Sequence, residues 1–470
     1  MSNLIIYELN EVPVRLFMHY ADAFQNSAFA RLVKHSRLFE THAADVGDLS
    51  PWISWPSLHR GVSNVEHGIS ELGQNLESIN NDFPPIWQIL ASEGLKVGLF
   101  GSLQSFPVPL NRENYSFYIP DTFAASSETI PAEMATFQAF NLGMTGVNGR
   151  NVTSKILMKE AFQFAIQSPF MGLTGDTMRR LITQVVAEKF NNDRIVRRRS
   201  SQTEIAFDLF YSLQKKNRPD ISFFFTNHLA SSMHRYWPTI FPEDYLESKF
   251  DKDWLIRWKS EIPHSVVIAN RQISRLMHYC DVQGGRLIVA SSMGQAAVDG
   301  VKMLYKQALI DDVSKLLSVC GIGKDEWVPR LAMAPRVVLR PISDTFFEKI
   351  EKLKKILVCG QNINVELLET GDVRLDIFLL NKTSLVVEFE GNKLTPEAVG
   401  IKNVDLQDAA GSNAYHIPEG VFLVYDPKAN LSDNSNHWMP ISVLDVAPSI
   451  LRYYGVEVPT HMSGDKKLLL

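Results

Sequence analysis

The feature that most constrains the fold is a set of short, continuously apolar runs that recur along the chain. Leu4–Leu9 is the first, and Lys96–Phe100, Ile221–Phe225 and Arg286–Ala290 follow it. Strands that are covered on both faces have this composition, whereas half-exposed strands alternate apolar and polar residues. A helical pattern with proline in its first turn, Pro84–Leu90, comes just before the second run. The sequence therefore predicts an α/β protein built on a doubly wound, mostly parallel sheet.

Composition narrows the class of protein further. The net charge of −5 over 470 residues indicates no general basic surface for nucleic acid or an anionic membrane. Cys280, Cys320 and Cys359 are widely spaced and odd in number, which excludes a disulfide framework and favours a reducing compartment. Leu4–Leu9 has no basic flank of the kind a signal peptide needs, and no apolar run approaches the ~18 residues of a membrane span. We therefore expect a cytoplasmic protein without a membrane span or a nucleic-acid partner; its oligomeric state stays open.

Two stretches lack the continuous apolar runs that predict the strands of the main sheet. Residues 126–216 lose strand-like runs and show helical periodicity, which predicts a helical insertion. Residues 331–402 combine a Lys- and Glu-rich helical pattern with short alternating runs, which predicts a small α+β insertion. The predicted core then consists of 1–125, 217–330 and 403–470.

The first insertion also contains clustered arginines, at Arg179–Arg180, Arg194 and Arg197–Arg199. Guanidinium groups bind phosphate and other anions in bidentate fashion, so contact with an anionic substrate is one interpretation. The other is a solvated helix face, which is the commoner origin of a charge run and the interpretation favoured here.

Polar side chains stand where several of the predicted strands end. In open α/β sheets, ligands bind at the carboxyl ends of the strands, so these positions are candidates for a functional site. An acidic group could instead begin the next helix, and a histidine there could be a hydrogen-bonded structural residue. The candidates are Glu8, Asn10, Glu11, Asn227, His228, His234 and Ser292.

One segment, Leu49–Gly61, concentrates hydroxyl groups, prolines and a histidine. Its serines are Ser50, Ser54 and Ser57, and its histidine is His59. The pattern predicts a loop that leads into a short helix, a position where a covalent catalyst can hold its nucleophile. The alternative is a tightly turned loop anchored by its two tryptophans.

The order of these segments along the chain resembles that of the alkaline phosphatase superfamily, and within it the type I phosphodiesterase/nucleotide pyrophosphatase-like proteins. Four landmarks spread along the chain carry the resemblance. They are the strand end Glu8–Glu11; Ser50 and Gly61 followed by His67-Gly68-Ile69; Ser231 with Met233, His234, Arg235 and Tyr236 after a strand; and His416 with Gly420, followed by Asp445-Val446-Ala447-Pro448-Ser449.

The resemblance implies a three-layer αβα core and phosphoryl or sulfuryl transfer by a hydroxyl nucleophile assisted by two divalent metals. This chain departs from the pattern at Asn10, at Ala230 or Ser231, and at Ser292 and Met293, where the family has metal-binding acids and a histidine. Amide, hydroxyl and thioether groups do not bring the negative charge that such ions need. We therefore expect at most one divalent cation (Zn, Mn or Mg), with a metal-free site as the alternative.

The resemblance also implies roles for individual residues. Ser50 is the predicted nucleophile, with Ser54 and Ser57 as rivals, and His234 is the predicted catalytic histidine. The predicted metal ligands are Glu8, His228 and His416. The predicted substrate-binding residues are Asn10, Glu11, Ser57, His59, Asn227, Arg235 and Ser292.

Three functions fit these expectations. The leading one is a phosphodiesterase- or phosphatase-like hydrolase that acts on a phosphorylated small molecule through a serine nucleophile. The second is a non-catalytic relative that binds a phosphorylated or nucleotide ligand or a protein partner. The third is a transferase that moves phosphoglycerol or a sugar phosphate onto a glycan precursor. All three require Asn10, Ser50, His234 and His416 to meet in one pocket, and would fail if Ser50 lay far from both imidazoles.

Overall fold

The predicted apolar runs form the middle of an eight-stranded sheet in a computed structural model of the chain. The structure describes residues 3–145, 164, 166–168, 170–247, 250–300, 302–330, 332, 335–368, 370–429, 437–465 and 470. These residues belong to two compact units. The larger contains the main sheet and the chain from Ser412 onward, and the smaller contains the described residues of 302–411.

The main sheet is mostly parallel, which confirms the predicted α/β class. Numbered in chain order, its strands are β1 Leu4–Leu9, β2 Ser36–His42, β3 Val97–Phe100, β4 Tyr115–Ile119, β5 Ile221–Thr226, β6 Arg286–Ala290, β19 Glu419–Tyr425 and β20 Met439–Ser442. Their order across the sheet is β20-β2-β19-β6-β1-β5-β3-β4. Only β19 runs antiparallel to its neighbours, β2 and β6, within the described sheet.

The apolar character of β1 follows from its central position. It pairs in parallel with β5 and β6, so that Ile6 lies beside Phe223 on one side and Ile288 on the other. Every residue of β1 is buried, including Glu8. A strand covered on both faces in this way has no solvent-facing positions to fill with polar residues.

Helices cover both faces of the main sheet. The longer helices before residue 300 are α1 Val14–Ala23, α2 Ala28–His35, α3 Pro51–Arg60, α4 Asn64–His67, α5 Glu77–Asp82, α6 Ile86–Ser92, α7 Ala135–Thr145, α8 Gly175–Phe190, α9 Arg198–Asn217, α10 His228–Tyr236, α11 Lys252–Trp258 and α12 Glu261–Gln283. Two more helices, α13 Val313–Val319 and α14 Asp344–Ile350, lie in the smaller unit, and α15 Val446–Tyr453 closes the chain. Short 3₁₀ helices span Ala132–Met134, Asn192–Arg197, Trp237–Thr239, Pro242–Asp244, Glu351–Lys355, Pro396–Val399 and Val443–Asp445.

The two helical layers pack on alternate residues of the strands. On one face, Trp55 of α3 and Trp87 of α6 join the apolar cluster that contains Ile6 and Phe223. On the other face, Phe210 of α9 lies 4.9 Å from the ring of Phe224. The Tyr7 hydroxyl on that face donates a hydrogen bond to Gln272 Oε1 of α12 at 2.6 Å. The side chains of a strand alternate between its faces, so each β-strand serves both layers.

Two elements differ from the sequence analysis. No strand was predicted within residues 106–121, but β4 lies there and is largely buried at the sheet edge. Helix α9 falls within the predicted insertion 126–216, yet its Phe207 and Phe210 pack against Phe224 of the sheet. Its aromatic residues are spaced for one helix face, and that face is part of the core layer.

The smaller unit has a hydrophobic core of its own. Its strands are β8 Lys306–Ile310, β9 Trp327–Arg330, β10 Val337–Pro341, β11 Leu357–Val358, β12 Gln361–Asn362, β13 Asn364–Leu367, β14 Val373–Asp376, β15 Val387–Phe389, β16 Asn392–Leu394 and β17 Ile401–Asp405. They form sheets in the orders β13-β14-β10-β9 and β12-β11-β15-β16 and the pair β17-β8. The unit contains the predicted α+β segment 331–402 and begins earlier because β8 is the antiparallel partner of β17. In the larger unit, β7 Gly294–Ala297 pairs with β18 Ala414–Ile417.

Within the described ranges, no helix combines the length and apolar composition that a membrane crossing requires.

Candidate active site

The candidate site lies just beyond the carboxyl end of β1, at Asn10 and Glu11. Both residues are buried. Glu11 has a φ of 59°, in the left-handed region that disfavours residues with a Cβ. Such a conformation costs about 1–3 kcal/mol and persists only where the surrounding structure enforces it. Here it turns the chain out of the strand, so that the Glu11 carboxylate meets side chains from other elements.

Two histidines from distant segments converge on that carboxylate. Glu11 Oε2 lies 2.9 Å from His234 Nε2 of α10 and 3.4 Å from His416 Nε2 of β18. One ligand atom from each of the three residues lies within 4.8 Å of the others. This Glu11–His234–His416 cluster is the one group of its kind within the described residues.

Both imidazoles are oriented by the backbone. His234 Nδ1 donates a hydrogen bond to the carbonyl of Ala414 at 2.7 Å, and His416 Nδ1 donates to the carbonyl of Leu49 at 2.7 Å. Because a carbonyl only accepts, the proton of each neutral ring resides on Nδ1. The Nε2 lone pairs then point toward Glu11. Imidazoles that bind metals are held in the same way, with the distal nitrogen bonded to a carbonyl or carboxylate.

The electrostatics of the cluster favour charge separation. Burial by itself would raise the pKa of Glu11, but His416 and His234 oppose it and hold that pKa well below its ordinary value. Burial also lowers the pKa of His416, whereas Glu11 and the Leu49 carbonyl raise it, and the net pKa is raised. The two shifts agree: the three side chains favour a positive charge next to the carboxylate. Either a proton or a metal cation can supply that charge.

A second group of side chains fixes the Glu11 carboxylate. Asn10 Nδ2 donates to Glu11 Oε1 at 2.7 Å and to Asn227 Oδ1 at 2.7 Å. Trp55 Nε1 donates to Asn10 Oδ1 at 2.8 Å and so sets the orientation of the amide. Gln295 Nε2 donates to Glu11 Oε2 at 2.5 Å. Asn10 and Asn227 are among the site residues predicted from the sequence, whereas no sequence pattern pointed to Trp55 or Gln295.

Ser50 caps the amino end of α3, immediately after the Leu49 carbonyl that binds His416. Its carbonyl accepts the first helical hydrogen bonds, from Ile53 and Ser54. Its side chain makes no capping hydrogen bond, and its buried Oγ finds no partner among the described residues. A buried hydroxyl without a partner costs stability, and Ser102 Oγ and Ser222 Oγ are in the same state. Ser50 is thus attached to the cluster through its neighbour Leu49.

The two rival serines are engaged elsewhere. Ser54 Oγ and Ser292 Oγ share a hydrogen bond of 2.7 Å inside the core. Ser57 Oγ donates to Asp45 Oδ1 at 2.5 Å and accepts from His67 Nε2 at 2.9 Å. His67 is the donor because its Nδ1 accepts from the Ile69 amide. His67 therefore cannot take the proton of Ser57.

Three predicted site residues make their hydrogen bonds outside the cluster. Glu8 and His59 pair inside the core at 2.6 Å, and the His59 ring packs 4.7 Å from Trp87. His228 is buried, with Nδ1 bonded to Thr226 Oγ1 at 2.7 Å and Nε2 donating to the Ser265 carbonyl at 3.0 Å. Burial lowers the pKa of His228 to about 4. Among the described contacts, neither histidine forms a hydrogen bond to the Glu11 carboxylate.

Arg235 is also buried, and its backbone carbonyl accepts from Asn413 Nδ2 at 2.6 Å. Beside the cluster, the Tyr415 side chain is 52% exposed and its ring stacks on His416 at 4.3 Å. The His234 side chain is 25% exposed. The cluster is therefore reachable from solvent on the side of His234 and Tyr415.

Fold and site together define the class: a mostly parallel α/β protein whose main sheet carries a Glu–His–His cluster at its carboxyl edge. No protein-family model matches the chain, and no curated protein matches it significantly. Among solved structures, it is similar to murine ectonucleotide pyrophosphatase/phosphodiesterase 5, with 12% identity, a TM-score of 0.41 and coverage of 99% of this chain and 98% of that one. An inactive variant of that protein in complex with AMP gives 12% identity, a TM-score of 0.42 and the same coverage.

Phosphonoacetate hydrolase from Sinorhizobium meliloti 1021, in complex with phosphonoformate, is also similar. It shares 14% identity with a TM-score of 0.39, and the match covers 95% of this chain and 94% of that one. These identities and TM-scores are too low to carry a residue role or an activity across to this chain.

Proposed function

We propose that this protein is a phosphoester hydrolase whose site binds one divalent cation through Glu11, His234 and His416. The observation that supports the proposal is the convergence of two backbone-anchored imidazoles on one carboxylate oxygen. In this proposal Glu11 and His234 replace Glu8 and His228 in the predicted ligand set. His416 keeps its predicted role.

The donor set fits the ion. Two imidazole nitrogens and one carboxylate oxygen suit Zn²⁺ or Mn²⁺ better than Mg²⁺, which prefers oxygen ligands. Three protein ligands leave a coordination position open for substrate, as in catalytic zinc sites. Bound there, the ion would supply positive charge that polarises a phosphoryl oxygen.

A single ion is proposed because the part of the chain that the structure describes contains no second set of ligands. Ser292 forms a hydrogen bond to Ser54, and Met293 is fully buried. Within the described residues, the Glu11–His234–His416 cluster is the one metal-type group found. A one-ion site must draw more of its charge stabilisation from the protein itself.

Ser50 is the proposed nucleophile. Its Oγ would form a bond to phosphorus while the bond from phosphorus to the leaving ester oxygen breaks, and the proton of the Ser50 hydroxyl would be transferred to the departing oxygen. Water would then hydrolyse the phosphoserine. The amino end of α3, a helix of ten residues, places positive partial charge beside this oxygen. Asn10, Trp55 and Gln295 act as positioning residues because they touch Glu11 or its neighbour.

The test combines metal analysis of the purified protein with turnover of bis-p-nitrophenyl phosphate, with and without added Mn²⁺ or Zn²⁺. We expect one ion per chain, its loss in His416→Ala, and a fall in turnover of about 100-fold or more in Ser50→Ala. Ser54→Ala is the matched control because its hydroxyl bonds only to Ser292 among the described contacts. Turnover that survives Ser50→Ala would overturn the assignment of the nucleophile.

The same assay separates the alternatives. If the protein shows no turnover under any condition but still binds AMP, the non-catalytic function is favoured. Turnover that requires a glycan acceptor would favour the transferase. The substrate of the hydrolase is proposed only as a phosphorylated small molecule.

A further inference from the structure

Helix α8 presents its apolar side chains to solvent. Ile182, Val185, Val186 and Phe190 are 58%, 53%, 48% and 88% exposed. Their spacing of three, four and eight residues places them on one face of the helix. We call this face the α8 apolar stripe. A surface helix ordinarily turns such a stripe toward the core, so its outward direction needs an explanation.

The polar side of the same helix faces the protein. Arg180 Nε donates to Glu204 Oε1 at 2.7 Å, and Arg198 Nη2 donates to Glu188 Oε2 of α8 at 2.7 Å. The Glu188 side chain is 7% exposed, and Thr177 is buried. The helix is therefore held in place by ion pairs. The stripe is the outer face of a fixed element.

These ion pairs also account for much of the arginine cluster seen in the sequence. Arg180 and Arg198 bind carboxylates, and Arg197 donates to Glu261 through two nitrogens at 2.8 Å. The cluster serves mainly to attach the helices, which leaves few of its guanidiniums for a phosphate ligand.

The helix α8 has one acidic and two basic residues at exposed positions, Asp176, Arg179 and Lys189. Arg179 Nη2 donates to Asp176 Oδ1 at 2.9 Å. The Arg179 side chain is 76% exposed. Residues 175–199 contain seven basic and three acidic residues, a net charge of +4, in a chain whose total is −5. Glu204 and Glu261, which lie outside this segment, pair with its arginines, so the excess of basic groups around the stripe is smaller than that count.

We propose that the α8 apolar stripe docks the protein onto an anionic lipid bilayer. Apolar side chains flanked by exposed cations on one helix face match a membrane interface, where apolar groups enter the acyl boundary and cations meet the headgroups. Each exposed Lys or Arg near an anionic surface adds electrostatic attraction to the lipid headgroups. This docking needs neither the metal cluster nor turnover.

A second copy of the chain fits the stripe less well. Residue 184 lies midway between Arg179 and Lys189. If two copies of α8 packed in antiparallel fashion about this residue, Arg179 of one copy would face Lys189 of the other. A parallel pair would place each against its own copy. Both arrangements oppose like charges, which weakens the pairing of helices.

The test is flotation of the full chain with vesicles of phosphatidylcholine, alone or mixed with phosphatidylglycerol. We expect binding to the mixed vesicles that weakens with salt. The double substitution Ile182→Ser and Phe190→Ser should reduce partitioning by about tenfold or more, because it removes the largest inserted groups. The double substitution Arg179→Gln and Lys189→Gln should weaken binding to the mixed vesicles and leave binding to phosphatidylcholine unchanged.

Two controls separate docking from other effects. Leu110→Ser removes an apolar side chain that is 99% exposed elsewhere and should leave flotation unchanged. Ser50→Ala should float like the wild type, so a failed hydrolase proposal would not affect this one. Wild-type protein that does not float with mixed vesicles would overturn the proposal. So would a wild-type dimer that the double serine variant turns into a monomer without any change in vesicle binding.

Discussion

At the scale of the residue, the site depends on the orientation of one carboxylate. Glu11 leaves the strand in a left-handed conformation, and both of its oxygens receive hydrogen bonds, from Asn10 and Gln295. The Asn10 amide could rotate by half a turn if nothing held it. Trp55 prevents that rotation, since its indole N–H can only donate and must therefore face the Asn10 oxygen.

The first prediction concerns this indole. Trp55→Phe keeps an aromatic ring in the core but removes the donor to Asn10, so the amide no longer has a fixed orientation toward Glu11. We expect metal affinity to fall by about 10- to 100-fold, as for other groups that orient metal ligands. Titration of metal-free protein with Zn²⁺ measures the change. Trp87→Phe, on the same face of the sheet, is the matched control and should not alter the affinity; equal losses in both variants would indicate a packing effect.

The second prediction concerns His228, which is structural. Burial lowers its folded-state pKa from 6.5 to about 4. The unfolded chain therefore takes up a proton between these two values while the folded protein does not. The contribution of the neutral His228 ring to the free energy of unfolding is present in full above pH 6.5. It decreases by ~3 kcal/mol as the pH falls toward 4.

The measurement is the free energy of unfolding of wild type and His228→Gln at several pH values. Gln can still bond to Thr226 or Ser265 but does not titrate. The loss between pH 6.5 and 4 should be smaller in the variant, and parallel pH profiles would contradict the assignment. Turnover is expected to change little at pH 7, because His228 does not contact the Glu11–His234–His416 cluster.

At the scale of the element, α3 connects the core to the site. Its apolar side packs Trp55 and Leu58 against the sheet, while Ser50 at its amino end lies next to the residue that binds His416. Pro51 occupies the first helical turn, where a missing N–H costs nothing. At the other end, Gly61 adopts a φ of 65° and closes the helix, a conformation that glycine tolerates best.

The third prediction compares two N-cap serines. Ser27 accepts a hydrogen bond from the Ala30 amide of α2 at 3.1 Å, whereas Ser50 makes no such bond. Ser27→Ala should cost about 1 kcal/mol in the free energy of unfolding. Ser50→Ala should leave stability unchanged or increase it, because a buried hydroxyl without a partner disappears. Urea denaturation of both variants tests this, and a large loss of stability in Ser50→Ala would show that the hydroxyl has a structural role.

At the scale of the whole molecule, the chain divides into two units with separate cores. The core of the smaller unit is formed by buried side chains such as Leu339, Phe346 and Leu375. Strands near its two ends, β8 and β17, pair in antiparallel fashion and bring those ends together. An inserted unit whose two ends lie close together can fold without changing the strand register of the protein that contains it.

The fourth prediction follows from that arrangement. A fragment of residues 302–411 should fold alone, because its core is internal and its length lies within the ordinary range of domains. Circular dichroism should show a cooperative thermal transition. Phe346→Ala, which empties a fully buried position, should lower the free energy of unfolding by about 3–5 kcal/mol. The exposed substitution Phe378→Ala is the control, and a fragment without a transition would contradict the prediction.

Much of the fold could be predicted because it depends on local patterns. The runs at Leu4–Leu9, Ile221–Phe225 and Arg286–Ala290 are strands to within a residue, since burial on both faces leaves an unbroken apolar signal. The strand Tyr115–Ile119 was missed because it follows a proline-rich segment. Helix α9 was placed in an insertion because helical periodicity identifies a helix but not the surface it packs on.

The sequence by itself determined four neighbouring strands of the sheet, β6, β1, β5 and β3, and the polar residues that follow their carboxyl ends. It did not determine which of those residues meet. Glu8 and Glu11 are three positions apart, yet strand alternation directs Glu8 into the core beside His59, while the left-handed turn directs Glu11 to the edge of the sheet. His234 and His416 join Glu11 because β18 and α10 lie side by side only in the folded chain, and contacts between residues so far apart leave no local signal in the sequence.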